Sequence, residues 1–194
     1  MNVIPFNGII SGSRIENLLN VLRRDCGRSL VVVNSPGGEF EFFSKLAPAL
    51  MRTGFVSVGN RVASAAIVLQ LLGRERLATP NATFFFHEVR TILGAGGEVT
   101  ICDLERFLDM EREMKENLGR ACREEIEMWH QGMAAAQAWM LRFIRQQTGL
   151  SAGTFANLMR GEVTLSAREA VQYGIVHRVV SYDELMSYVD PRLL

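Results

Sequence analysis

Cysteine, proline and net charge are all scarce in this chain of 194 residues, and each scarcity narrows what it can be. Cys26, Cys102 and Cys122 are too few and too scattered for a disulfide framework or a metal cluster, so they read as reduced thiols. Lysine plus arginine equals aspartate plus glutamate, 21 each, and no excess of one sign marks a nucleic-acid or anionic-membrane surface. No apolar run nears the roughly 20 residues of a membrane span. The opening Met1-Asn-Val-Ile-Pro-Phe-Asn7 lacks the basic start and apolar stretch of a secretory leader. The expectation is a cytoplasmic protein with no cofactor, no metal, no nucleic acid and no membrane partner.

What is present is an alternation of strand and helix patterns in one domain spanning 1–194. Val3 to Ile10 reads as a short strand, with Pro5 favouring an edge or a strand start. Ser13-Arg-Ile-Glu16 has the form of a capping box, followed by Ile15, Leu18, Leu19 and Leu22 at helical spacing and a stop near Gly27. Ser29 to Val33 is a β-branched run typical of a strand buried on both faces of a parallel sheet. Phe40 to Thr53 reads as a helix that Pro48 kinks or divides, and Phe55 to Val58 as a short strand. Ala63 to Leu72 reads as a core helix with Ser64 in its first turn. Gly73 to Pro80 reads as a turn before a strand over Ala82 to Phe86. This order predicts an α/β fold of repeated βαβ units with right-handed crossovers.

Beyond a glycine-rich loop or hairpin tip over Ile92 to Glu98, Thr100 to Gln147 is helical in pattern and free of proline. Base rates make this too long for one helix. It predicts two or three helices, or a projecting arm, interrupted near Gly119 and Gly132. Its stripe of Leu104, Leu118, Ile126, Trp129, Met133, Met140 and Ile144 reads as core packing, with Glu105 to Glu127 a solvated face. A short helix near Ser151 to Met159 follows. Ser166-Ala-Arg-Glu169 is a second capping box ahead of a closing strand over Ile175 to Val180.

Chemistry concentrates at Ser64 and, 23 positions later, at His87 at the end of Thr83-Phe-Phe-Phe-His87. A serine hydroxyl becomes a nucleophile when a neighbouring base takes its proton, and histidine is the usual base. Asn34-Ser-Pro-Gly-Gly38 is a turn whose amides can face a developing oxyanion. Serine, base and amide donors together suggest acyl transfer. His130 and His177 have no carboxylate or cysteine at metal-ligand spacing and read as structural or exposed.

These residues resemble the Clp protease proteolytic subunit family, serine peptidases of crotonase-like fold. The resemblance is carried by Asn34-Ser-Pro-Gly-Gly38, by Ala63-Ser64 and the small residues after it, by Leu77-Ala-Thr-Pro-Asn81 through His87, and by Leu165-Ser-Ala167 through Tyr173-Gly-Ile-Val176. It implies Ser64 as nucleophile, His87 as base, and the Gly38 and Ala65 amides as the oxyanion hole. It implies a peptide or unfolded-protein substrate lying as a strand beside Gly37 and the loop of Gly94, Gly96 and Gly97. It also implies a ring of six or seven subunits, single or stacked, with a helical handle at about 100–147 enlarged by insertion. The family's triad carboxylate is an aspartate, and the matching position here is Glu162; Glu88 and Asp103 are the alternatives. The chain starts near the family's first core strand, without the segment that lines the axial pore, which leaves an ATPase unfoldase partner open.

Three functions follow as alternatives: a serine endopeptidase, a catalytically weak or silent assembly subunit, and an acyl-CoA enzyme of the crotonase fold. Intact Ser64 and His87 argue for the first. Crotonase-type acyl-CoA chemistry uses carboxylates and needs no serine–histidine pair, which places the third last.

Overall fold

The structure, a computed structural model, describes residues 1–25, 27–93, 97–114 and 120–188. Cys26, Gly94, Gly96, Leu118 and Gly119 lie outside the described residues, as does the side chain of Cys122. Strands β1 (Asn2–Asn7), β2 (Ser29–Ser35), β3 (Val56–Ala63) and β4 (Glu75–Phe85) run parallel in that order. Helices α1 (Gly12–Asp25), α2 (Phe43–Thr53) and α3 (Ala66–Leu71) make the crossovers between them. β7 (Thr164–Ser166) joins β4 antiparallel, and β8 (Arg178–Val179) joins it parallel. The β-branched run Val31-Val-Val33 stands in β2 with parallel neighbours on both sides, which is why it can be apolar throughout. Ile15, Leu18, Leu19 and Leu22 of α1 are buried, and every residue of α3 is buried.

Three differences from the sequence reading bear on the fold around Ser64, besides a first strand that ends at Asn7 and a second helix that starts at Phe43. Gly12 opens α1, and its amide donates to Glu39 Oε2 at 3.0 Å, so the cap comes from another segment and Ser13 lies inside the helix. β3 continues to Ala63, placing Ser64 in the turn before α3 and not in the helix. β4 runs straight through the segment read as a turn. Gly59 pairs with Ala78 and Arg61 with Thr83, so Thr79 to Ala82 bulge opposite Asn60, which is how a strand accommodates Pro80.

The helical tract forms two helices, α4 (Ile101–Met114) and α5 (Arg120–Thr148). Gly132 does not interrupt α5, since it faces open space and costs only its weak helix propensity. Ile101 and Leu104 of α4 pack on Met133, Ile126 and Trp129 of α5. Further along, Met140, Phe143 and Ile144 join the main core, with Trp139 stacked on Phe143 at 5.1 Å. Buried Arg76 donates from Nη2 to the Gln147 carbonyl at 3.1 Å, a cation at the negative end of the α5 dipole. Burial pulls its pKa down. His177 accepts from the Arg76 amide at 3.2 Å, and His130 lies 3.5 Å from Glu105; both have structural partners. Helix α7 (Ala167–Gln172) opens with the expected box at Ser166 and Glu169, and α8 (Tyr182–Ser187), absent from the sequence reading, follows β8.

Helix α6 (Ala152–Arg160) ends in a Schellman motif. Glu162 N–H donates to Met159 O at 3.2 Å and Val163 N–H to Leu158 O at 3.1 Å. The left-handed position of that motif usually holds glycine. Here Gly161 stands one residue early, and Glu162 takes the position with φ 49°. A residue with a Cβ there costs roughly 1–2 kcal/mol, part of which glycine returns as chain entropy. Glu162→Gly should therefore leave thermal stability equal or raised by up to about 1 kcal/mol; a clear fall in the melting midpoint would show that the carboxylate itself holds the fold.

Candidate active site

Ser64 occupies the corner between β3 and α3 with φ 56°. Among the described residues, only Ser64 and Glu162 combine a positive φ with a side chain. Strain of this kind gathers at functional positions, and a sharp strand-to-helix turn is how hydrolases present a serine. The corner is fixed at both ends: Ser64 N–H donates to Phe85 O and Ile67 N–H to Ser64 O, each at 3.0 Å. Because Val62 pairs with Phe84 and Ala63 with Phe85, β4 leaves the sheet beside Ser64 and delivers His87 two residues later.

Ser64, Ala65, Gly38 and His87 line one groove of about 1270 Å³. His87 Nδ1 stands 2.6 Å from the Glu88 carbonyl oxygen, to which Nδ1–H donates, leaving Nε2 as the acceptor. The ring also lies against Phe85, centroids 5.6 Å apart. No hydrogen bond joins Ser64 to His87 among the described residues. Such bonds are often long before substrate arrives.

The glycine turn abuts the serine. A Cβ on Gly37 would stand 2.6 Å from Ser64 Cβ and 3.1 Å from Ser64 Oγ. A Cβ on Gly38 would meet the Ile10 carbonyl at 2.3 Å. With φ of 101° and 141°, both positions need glycine on conformational grounds as well. Ile10 N–H donates to Gly37 O at 2.8 Å and Glu39 N–H to Ile10 O at 3.1 Å, which fixes the peptide between them. Among the described residues the amides of Gly38 and Ala65 are then left without an acceptor, on the wall of the same groove as Ser64. Two free donors beside a serine are what a tetrahedral oxyanion requires.

The sheet brings the end of α6, with Glu162, to the same edge of β4 as His87. β4 and β7 pair Thr83 with Ser166, Phe84 with Leu165 and Phe85 with Thr164, and Phe86 N–H extends the ladder to Val163 O at 2.9 Å. The ladder ends there, with His87 one residue past Phe86 and Glu162 one residue before Val163, in its left-handed turn. The Glu162 carboxylate nevertheless pairs with Arg90 Nη2, and no hydrogen bond joins it to His87 among the described residues. The alternative acids are occupied elsewhere. Glu88 Oε1 takes the Cys102 thiol at 3.9 Å; burial first, then Glu88 and Glu105, push that thiol's pKa up. Asp103 caps α4, accepting the Thr100 amide and hydroxyl at 2.8 Å each, and those bonds lower its pKa.

The sequence reading missed Arg90, on β5 (Arg90–Leu93), and the wall that α5 lends to the groove through Met128, Trp129 and Met133. A lone cation three residues after the proposed base was the available signal for the first. The apolar stripe gave no means to separate groove wall from core. Gly97 opens β6 (Gly97–Thr100), the exposed partner of β5 in a hairpin. No cluster of three metal-ligating side chains exists among the described residues.

A Clp protease family model matches residues 118–183, the segment carrying α5, Glu162 and the β7–α7 capping box. Among solved structures, the fold matches an asparagine-to-aspartate mutant of ClpP1 from Listeria monocytogenes, at 21% identity and a TM-score of 0.66. That match covers 95% of this chain and 94% of the other. No curated protein matches the sequence. The architecture is thus the crotonase-like α/β fold of ClpP. The family model matches the C-terminal part of the chain, and the structural likeness carries the fold over nearly its whole length.

Gly37→Ala should leave a folded protein in which Ser64 no longer reacts, because the new methyl displaces the serine or the Ala63 carbonyl, 2.9 Å from its position. Circular dichroism and labelling by a fluorophosphonate probe measure the two separately; undiminished labelling would contradict the close approach.

Proposed function

We propose that this chain is a serine peptidase that cleaves peptide bonds through an acyl-enzyme. The observation that carries the reading is the convergence of Ser64, on its strained corner, with His87 and the unengaged Gly38 and Ala65 amides in one groove. His87 Nε2 takes the Ser64 Oγ proton as Oγ attacks the scissile carbonyl carbon. The carbonyl oxygen becomes an oxyanion and accepts from the Gly38 and Ala65 amides. His87 then returns the proton to the leaving nitrogen as the C–N bond breaks. Water, deprotonated by the same imidazole, releases the acyl group and restores Ser64. Glu162, at the same edge of β4 as His87, is the carboxylate suited to orient the ring and stabilise the imidazolium. The Gly37–Gly38 turn and the β5–β6 hairpin, which includes Gly97, flank the groove as supports for an extended substrate. Gly94 and Gly96 complete that assignment from the sequence alone.

Ser64→Ala should abolish peptide hydrolysis and probe labelling while the fold persists, with a rate loss near 10⁴ or more. Full turnover by the purified variant would remove Ser64 from the mechanism. A silent assembly subunit is the second reading, favoured by the Glu162–Arg90 pair; wild-type protein that never labels would establish it.

We also propose a ring of six or seven subunits in one or two layers. Phe107, Met110 and Met128 on the arm are 51%, 49% and 61% exposed, apolar surface that a second subunit would cover. Sedimentation should give a mass several times 21.7 kDa. A concentration-independent monomer would exclude the ring. No helix among the described residues is long and apolar enough to cross a membrane, and the cytoplasm suits an enclosed peptidase. An ATPase unfoldase as partner stays with the family resemblance alone.

A further inference from the structure

Arg90 has no part in the reaction proposed above, yet it holds the carboxylate that reaction calls on. Its Nη2 pairs with Glu162 and its Nη1 with Glu98 Oε2 on β6 at 3.0 Å. The backbone also keeps Glu162 near His87, because the Phe86 N–H bond to Val163 O joins the residues next to each. His87 Nδ1–H is meanwhile occupied by the Glu88 carbonyl oxygen at 2.6 Å. An exchange of partners therefore lies within reach. Glu162 would leave Arg90 and accept Nδ1–H in place of the Glu88 carbonyl, while Arg90 keeps Glu98, so no charge is stranded.

We infer that Arg90 is a positioning residue, a latch that holds Glu162 off His87 in the resting protein, and that its release completes the Ser64–His87–Glu162 relay. The inference rests on the assignment of those three residues made above. The Arg90 side chain is 29% exposed and that of Glu162 56%, so the pair is screened by solvent and biases the equilibrium by only a few-fold. A latch that weak opens readily. Displacement of the β5–β6 hairpin by an arriving substrate strand, or raised ionic strength, is enough. Four charged groups take part or stand beside His87: Glu88, Arg90, Glu98 and Glu162. Glu39, Glu41 and Lys45 line the same groove and are left unchanged by every substitution used in the test.

The experiment is fluorophosphonate labelling of the full chain at low and high salt, for wild type, Arg90→Gln, Arg90→Lys and Glu98→Gln. Arg90→Gln should label up to about fivefold faster than wild type at low salt. It should also lose the acceleration by salt that wild type shows. Arg90→Lys should keep that salt response. Glu98→Gln, which leaves Glu162 as the sole anion on Arg90, should label more slowly. In a Ser64→Ala background, proton NMR should show the His87 Nδ1–H resonance moving downfield when Arg90→Gln is added, as its acceptor changes from carbonyl to carboxylate. Equal or slower labelling of Arg90→Gln beside a wild type that does label, or an unmoved Nδ1 proton, overturns the latch. If no variant labels but the Nδ1 proton moves, the peptidase reading fails while the latch stands. If Arg90→Gln does not fold, the direction of the Glu98→Gln effect decides.

Discussion

The pairing of the last residues of β3 with the last residues of β4 governs everything in the groove. Ala63 against Phe85, sealed by the Ser64 amide on the Phe85 carbonyl, sets Ser64 and His87 on adjacent strand ends. Neither side chain has to search for the other. Parallel strands present their carboxyl ends together, and ligand crevices form there in open α/β sheets. β7 then adds to the far side of β4 in the opposite direction, bringing the α6 terminus and Glu162 to that edge. One central strand thus organises residues that are 23 and 75 positions apart along the chain (64 to 87, 87 to 162).

Close approach does the remaining work. The Gly37–Gly38 peptide can lie against Ser64 only because neither residue has a Cβ, and the bridge to Ile10 fixes which amide faces the groove. The serine corner is strained, but the Ser64 amide and carbonyl are both bonded, so the strain persists without fraying the turn. The result is a groove wall on which the Gly38 and Ala65 amides are held in place by the backbone around them.

Much of this architecture was legible in the sequence. The β-branched run at Val31 to Val33, the leucines of α1 and the capping box at Ser166 each state a local preference that the fold keeps. β4 was read as a turn plus a short strand because Thr79-Pro-Asn81 has turn chemistry; a bulge opposite Asn60 absorbs it, and bulges leave no local pattern. The start of α3 was placed too early because Ala63 to Leu72 is apolar throughout, and only the partner strand decides where extended backbone stops. Ser64, His87 and Gly38 were legible as motif residues. Arg90 was not, since its significance lies in a carboxylate 72 positions away.

Position 162 carries two demands that oppose each other. The end of α6 asks for glycine, the one residue that adopts the left-handed turn without penalty, while the relay proposed for Ser64 and His87 asks for a carboxylate. A long acidic side chain in that conformation is a compromise between durability and reactivity held at a single residue. Selection for heat tolerance alone would draw that position toward glycine, and selection for the proposed hydrolysis would tolerate the looser helix end.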